Sequence, residues 1–163
     1  MKLYHGTTQI VQKPDVSFAK QNLDFGPGFY LTSYEEQAKK WALRKALRQQ
    51  APAIINVYTL DELPSEIRLL RFDKQDIHWL KYVADCRTGK LIYQSYDVVI
   101  GGVANDDVFR TVDMYFRGIW GIQRTLKELK YYKVNDQICI LSQNVLDSYL
   151  HFESSYEVEN ESK

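Results

Sequence analysis

Apolar runs of strand length recur along the whole chain, yet they do not alternate with helices in a regular βαβ period. "KLYHG", "GFYLT", "AIINVYTL", "IRLLRF", "YDVVIGG" and "DQICIL" are short, rich in β-branched and aromatic residues, and bounded by turn-forming residues. Between them the period changes to that of a helix: over 34–49, with Ala38, Trp41, Ala42 and the stem of Lys45 on one face, then over 74–86, 107–119 and 122–132. Strands scattered among helices in this way predict an α+β fold rather than a doubly wound sheet. A chain of 163 residues suits one domain, placed at 1–152. The acidic, polar segment 153–163 reads as a frayed tail, with "YLHF" at 149–152 as the last candidate strand.

Local signals refine this outline. Residues 7–26 show no sustained period, and loops this long usually bind something or are disordered. The loop ends in "NLDFGPG", where Gly26 and Gly28 are expected to let the backbone come close to a ligand while Pro27 stiffens the link. Ser33 and Glu36 have the spacing of a capping box opening the helix at 34. Pro52 closes that region, and Asn56 inside "AIINVYTL" predicts a strand with one polar face. Asp106 or Asp107 is the expected cap of the 107–119 helix, with a substrate-side acidic pair as the alternative.

Several chemistries are excluded or unsupported. Acidic and basic residues balance at 21 each, which argues against a broad electrostatic grip on nucleic acid. The cluster Lys39, Lys40, Arg44, Lys45 and Arg48 reads as a solvated helix face. Cys86 and Cys139 lack the spacing of a disulfide scaffold or metal site and read as small buried hydrophobes in a reducing compartment. Without an apolar run of ~18 residues or a signal-peptide core, no membrane association and a cytoplasmic location are expected. The three histidines form no pair at metal-ligand spacing, so no metal is expected. "IGGVANDD" lacks the Lys-Ser/Thr of a phosphate loop, and no serine nucleophile elbow is present.

Two stretches remain: "LYHGTT" and "GPGFYLTS". His5, Gly6 and Thr7 place an imidazole, an unobstructed backbone amide and a hydroxyl within one short span, a set suited to a ribose and a carboxamide. Phe29 and Tyr30 follow the glycines and offer stacking faces. These motifs resemble the first two signatures of the ADP-ribosyltransferase superfamily, in its diphtheria-toxin and poly(ADP-ribose) polymerase branch. More closely, "NLDFGPGFYLTS", "YDVVIG", "ANDDVF" and "QICI" resemble a bacterial family of uncharacterised domains within that superfamily. The resemblance implies a split antiparallel β core with surrounding helices, and NAD as ADP-ribose donor. It also implies cofactor contacts from His5, Gly6, Thr7, Phe25, Gly28, Tyr30 and Trp41, with Tyr30 and Trp41 sandwiching the nicotinamide and the 7–26 loop partly covering it.

The third signature of the superfamily is a carboxylate opening a late strand, which here corresponds to "VNDQICILS". Strand alternation lets only one of Asp136 and Gln137 face the cleft, and the apolar run beginning directly after Gln137 favours Gln137. The resemblance therefore implies a His5, Tyr30, Gln137 catalytic set. A glutamine keeps a hydrogen bond to the ribose hydroxyl but brings no charge, which points to mono-transfer without chain extension. A macromolecular acceptor, protein or nucleic acid, and a small antitoxin partner are implied by the same resemblance. The alternative is a catalytically degenerate module that binds NAD or ADP-ribose.

Overall fold

The computed structural model describes residues 1–103, 106–130 and 135–159, apart from the side chains of Asp106 and Phe109. The expected cap at Asp106 and the end of the 122–132 helix thus lie outside the described residues.

The fold is α+β, with two sheets. One has the order β1-β3-β7, from Lys2–Thr7, Ile54–Leu60 and Leu150–Glu157; the other has the order β2-β6-β5-β4, from Phe29–Leu31, Gln137–Ile140, Val98–Gly101 and Leu69–Arg71. Every pairing is antiparallel except β4 with β5, which are joined through α2 (Ile77–Arg87) and run parallel at one edge. The remaining helices are α1 (Glu35–Gln49), α3 (Asp106–Phe116), α4 (Ile122–Leu129) and α5 (Gln143–Tyr149). All four residues of β5 and of β6 are buried, which explains the apolar runs of β5 and of β6 after Gln137.

Apolar side chains gather in three layers. Leu3, Leu31, Tyr58, Ile100, Ile138 and Ile140 fill the space between the sheets with α5. Trp79, Val83, Val99, Val112 and Cys139 pack α2, α3 and α4 on the outer face of the second sheet. Ala38, Ala42, Ile55 and Val57 pack α1 on the outer face of the first. Cys86 and Cys139 are both free and buried, and burial pushes the Cys86 thiol up to about 12.

Four local expectations change. β7 runs on to Glu157 and pairs with β3 from Ile54 to Leu60, so residues 153–157 belong to the sheet rather than to a tail. Alternation fails to warn of this because the solvent-facing side of an edge strand is polar. Asn56 does not mark a polar face: it is fully buried, with Oδ1 accepting from Val11 N–H and Nδ2 donating to the Gln9 carbonyl. Those bonds dock the first half of the long loop, which also contains a 3-10 turn at Val16–Phe18. Finally, no capping box forms. Tyr34 is the N-cap of α1, while Ser33 turns to Asp136 and Glu36 pairs with Lys39.

Candidate functional site

The sheets separate between β1 and β2. Tyr4 and Thr32 exchange both backbone hydrogen bonds, at 2.8 and 3.0 Å, and form a bridge between the sheets. The next rung in register would join Gly6 to Tyr30. Instead, the Tyr30 carbonyl accepts a 2.7 Å hydrogen bond from His5 Nδ1. Gly6 N–H and C=O point to the same edge as those of Tyr4, because residues two apart on a strand share an edge. The backbone amide of Gly6 therefore opens into the split.

The acceptor at Nδ1 is a carbonyl, so Nδ1 carries the proton and Nε2 presents a lone pair. Burial, opposed by that hydrogen bond and reinforced by the charge of Lys45, lowers the His5 pKa to about 4. His5 is thus neutral at physiological pH. Its ring lies 4.3 Å from that of Phe29, which carries the contact on to Tyr58 in the inter-sheet layer.

Opposed residues of an antiparallel pair share a face, so the Tyr4–Thr32 bridge makes the outer faces of the two sheets continuous. Tyr30 stands on that face, opposite Cys139, and Gln137 stands two residues from Cys139 on the same face. α1 covers the other flank. Gly6 lies directly beneath it, where an added Cβ would come 1.9 Å from the Ala38 carbonyl oxygen. Along α1, Gln37 donates to the Asp136 carbonyl at 2.8 Å and Lys45 donates to Thr7 Oγ1 at 3.1 Å. Trp41 is one turn from each of these and half-buried, so it stands over the split between Asp136 and Thr7.

Asp136 and Gln137 have different partners. The Asp136 carboxylate accepts from Thr32 Oγ1 and Ser33 N–H, both at 2.8 Å, and from the Ser33 hydroxyl. It ties the end of β2 to the start of β6. Gln137 is 4 % exposed, and its Nε2 donates to Asp24 Oδ2 at 3.2 Å and to the Gly102 carbonyl at 3.3 Å.

Three site expectations meet a different environment. Phe25 is fully buried, packed with Phe72 and Tyr82 at ring distances of 6.1 Å, and presents no face to a ligand. Gly28 is also buried; an added Cβ would lie 2.5 Å from Cys139 Sγ, so its close approach is to β6 and not to a ligand. Gly26, at φ 101°, turns the loop so that its carbonyl accepts from the Tyr30 hydroxyl at 2.6 Å. That hydroxyl also accepts from Phe25 N–H, so Tyr30 clamps the glycine turn. Burial pushes its phenol well above the ordinary value. Tyr30 and Trp41 make no ring contact with each other among the described residues.

The chain matches, over residues 1–152, the family described as Protein of unknown function (DUF3990). It belongs to that family. The match spans both sheets and ends inside β7, so the DUF3990 unit includes every element bordering the split. No curated protein matches the chain.

Some features of this DUF3990 site have no signal in the sequence. Asp24 holds Arg87 through contacts of 2.6 and 2.7 Å, linking the glycine loop to α2; the partners are 63 residues apart. A cavity of about 330 Å³ opens beside Asp136, with Arg71, Lys74, Gly101, Gly102 and Asn135 in its lining. No helix among the described residues is long and apolar enough to cross a membrane.

Proposed function

We propose that this DUF3990 protein is an NAD-dependent mono-ADP-ribosyltransferase. The observation that carries the reading is the split between β1 and β2, where a neutral imidazole and the Gly6 amide edge open side by side. A carboxamide needs one donor and one acceptor at fixed spacing, and the Gly6 N–H and C=O supply them. A ribose hydroxyl can donate to His5 Nε2. Trp41 offers an aromatic face above, and the Lys45 ammonium lies near enough to His5 to depress its pKa, giving positive charge for a pyrophosphate.

In the reaction the bond between ribose C1′ and the nicotinamide nitrogen breaks, and its electron pair neutralises the pyridinium. The acceptor nucleophile bonds to C1′ and releases its proton. Gln137 Oε1 accepts from the ribose 2′-hydroxyl and orients the sugar. A neutral amide gives the developing positive charge less support than a carboxylate, a difference of order a hundredfold in rate. Chain extension is not part of this reading. By resemblance, the protein is a toxin or defence effector with a protein or nucleic-acid acceptor and a small neutralising partner.

The second reading, a module that binds NAD or ADP-ribose without chemistry, is favoured by one observation. The carboxylate beside Gln137 belongs to Asp24, and Arg87 neutralises it. Radiolabelled NAD incubated with the protein and a cell lysate separates the two, with His5→Ala and Gln137→Ala alongside. Label transferred to a macromolecule with release of nicotinamide, and lost in His5→Ala, supports the transferase; protease or nuclease sensitivity then gives the acceptor class. NAD bound without either product supports the module.

A further inference from the structure

The two ends of a glutamine amide have nearly the same shape, so its orientation is decided by its neighbours. Around Gln137 both partners of the amide are acceptors: the Asp24 carboxylate and the Gly102 carbonyl. Only Nε2 can face them. Oε1 has no hydrogen-bond partner among the described residues. The one buried side-chain polar atom left without a partner among those residues is the Tyr82 hydroxyl, so Oε1 keeps access to solvent. Asp24 itself cannot swing away, because its Oδ1 is held by Arg87 Nε at 2.7 Å and by the second guanidinium nitrogen at 2.6 Å. Both side chains are 14 % exposed, which shields the pair from competing water.

We infer that Asp24 is a positioning residue: held by Arg87, it fixes the Gln137 amide so that the acceptor Oε1, not the donor Nε2, meets a ligand hydroxyl in the split. The inference rests on the reading of that split as a sugar-nucleotide site. It has a corollary for position 137. A glutamate there would turn its carboxylate toward the Asp24 carboxylate and the Gly102 carbonyl, with no proton to share among them. The glutamine is therefore matched to Asp24 and is not simply a weakened carboxylate. Restoring the superfamily's carboxylate is productive only when Asp24 is changed as well.

The test is a cycle of four full-length proteins: wild type, Asp24→Asn, Gln137→Glu and the double variant. Each is measured for stability and for nicotinamide release from NAD. The expected result is that Asp24→Asn lowers kcat on the order of a hundredfold with KM for NAD unchanged, as a misplaced but still bound substrate requires. Gln137→Glu alone is expected to lose stability and gain no activity, and the double variant to be more stable and more active than Gln137→Glu. Additive effects in the cycle, or a Gln137→Glu protein as stable as wild type, overturn the inference. Coupled stabilities with no nicotinamide release in any of the four leave Asp24 as the group that orients Gln137 and overturn the transferase reading instead. Should Asp24→Asn fail to fold, the Gln137→Glu protein still decides. Its stability deficit relative to wild type must grow as pH rises from 5 to 8, because the introduced carboxyl facing Asp24 is accommodated best in the folded state when protonated. A deficit independent of pH overturns the inference.

Discussion

Gly6 has no room for a methyl group, since an added Cβ would meet the Ala38 carbonyl at 1.9 Å and the Ala42 amide at 3.0 Å. Replacing it by alanine forces α1 off β1. The expected cost is about 1–3 kcal/mol, read as a fall in Tm of several degrees. The lowered pKa of His5 makes the stability of the fold depend on pH. The unfolded imidazole protonates near 6.5 and the folded one at about 4, so the folded state binds fewer protons between those values. Stability is full above about pH 6.5 and declines as pH falls toward 4, by no more than about 3 kcal/mol from this group. Urea midpoints between pH 4 and 7 for wild type and His5→Gln check it: the variant is expected to lack this part of the slope.

At the scale of elements, the start of α1 depends on β6. The S-x-x-E spacing suggests a self-contained cap, but Asp136, more than 100 residues away in sequence, takes Thr32 Oγ1, the Ser33 amide and the Ser33 hydroxyl together. Asp136→Ala is therefore expected to destabilise by about 2 kcal/mol or more, through the loss of hydrogen bonds to a charged acceptor. Glu36→Gln is expected to stay within about 0.5 kcal/mol, since it breaks only an exposed i, i+3 pair with Lys39. Denaturant midpoints of the two variants measure the contrast. Asp136 is thus committed to holding β2, β6 and α1 together.

For the whole molecule, the two sheets are held in one body by the inter-sheet layer, to which β7 contributes Leu150, and by the Tyr4–Thr32 bridge. Deleting residues from 153 onward removes the pairing of β7 with Ile54–Val57. The deletion is expected to lower Tm markedly, as thermal denaturation will show. Loss of the β7 pairing also exposes β3 as a new edge, so the truncated protein is expected to aggregate.

The strand and helix order and the α+β class were legible because they rest on local chemistry: β-branched runs, helical period and turn-forming residues between them. Local patterns do not report what lies opposite a side chain. Only the tertiary structure decided that Phe25 and Gly28 serve the core, that Ser33 binds Asp136 and not Glu36, and that Asn56 is a buried anchor for the loop. It also placed Asp24, held by Arg87, against Gln137, since a carboxylate, a guanidinium and an amide far apart in the chain acquire fixed orientations only when burial removes the water that would otherwise satisfy each of them.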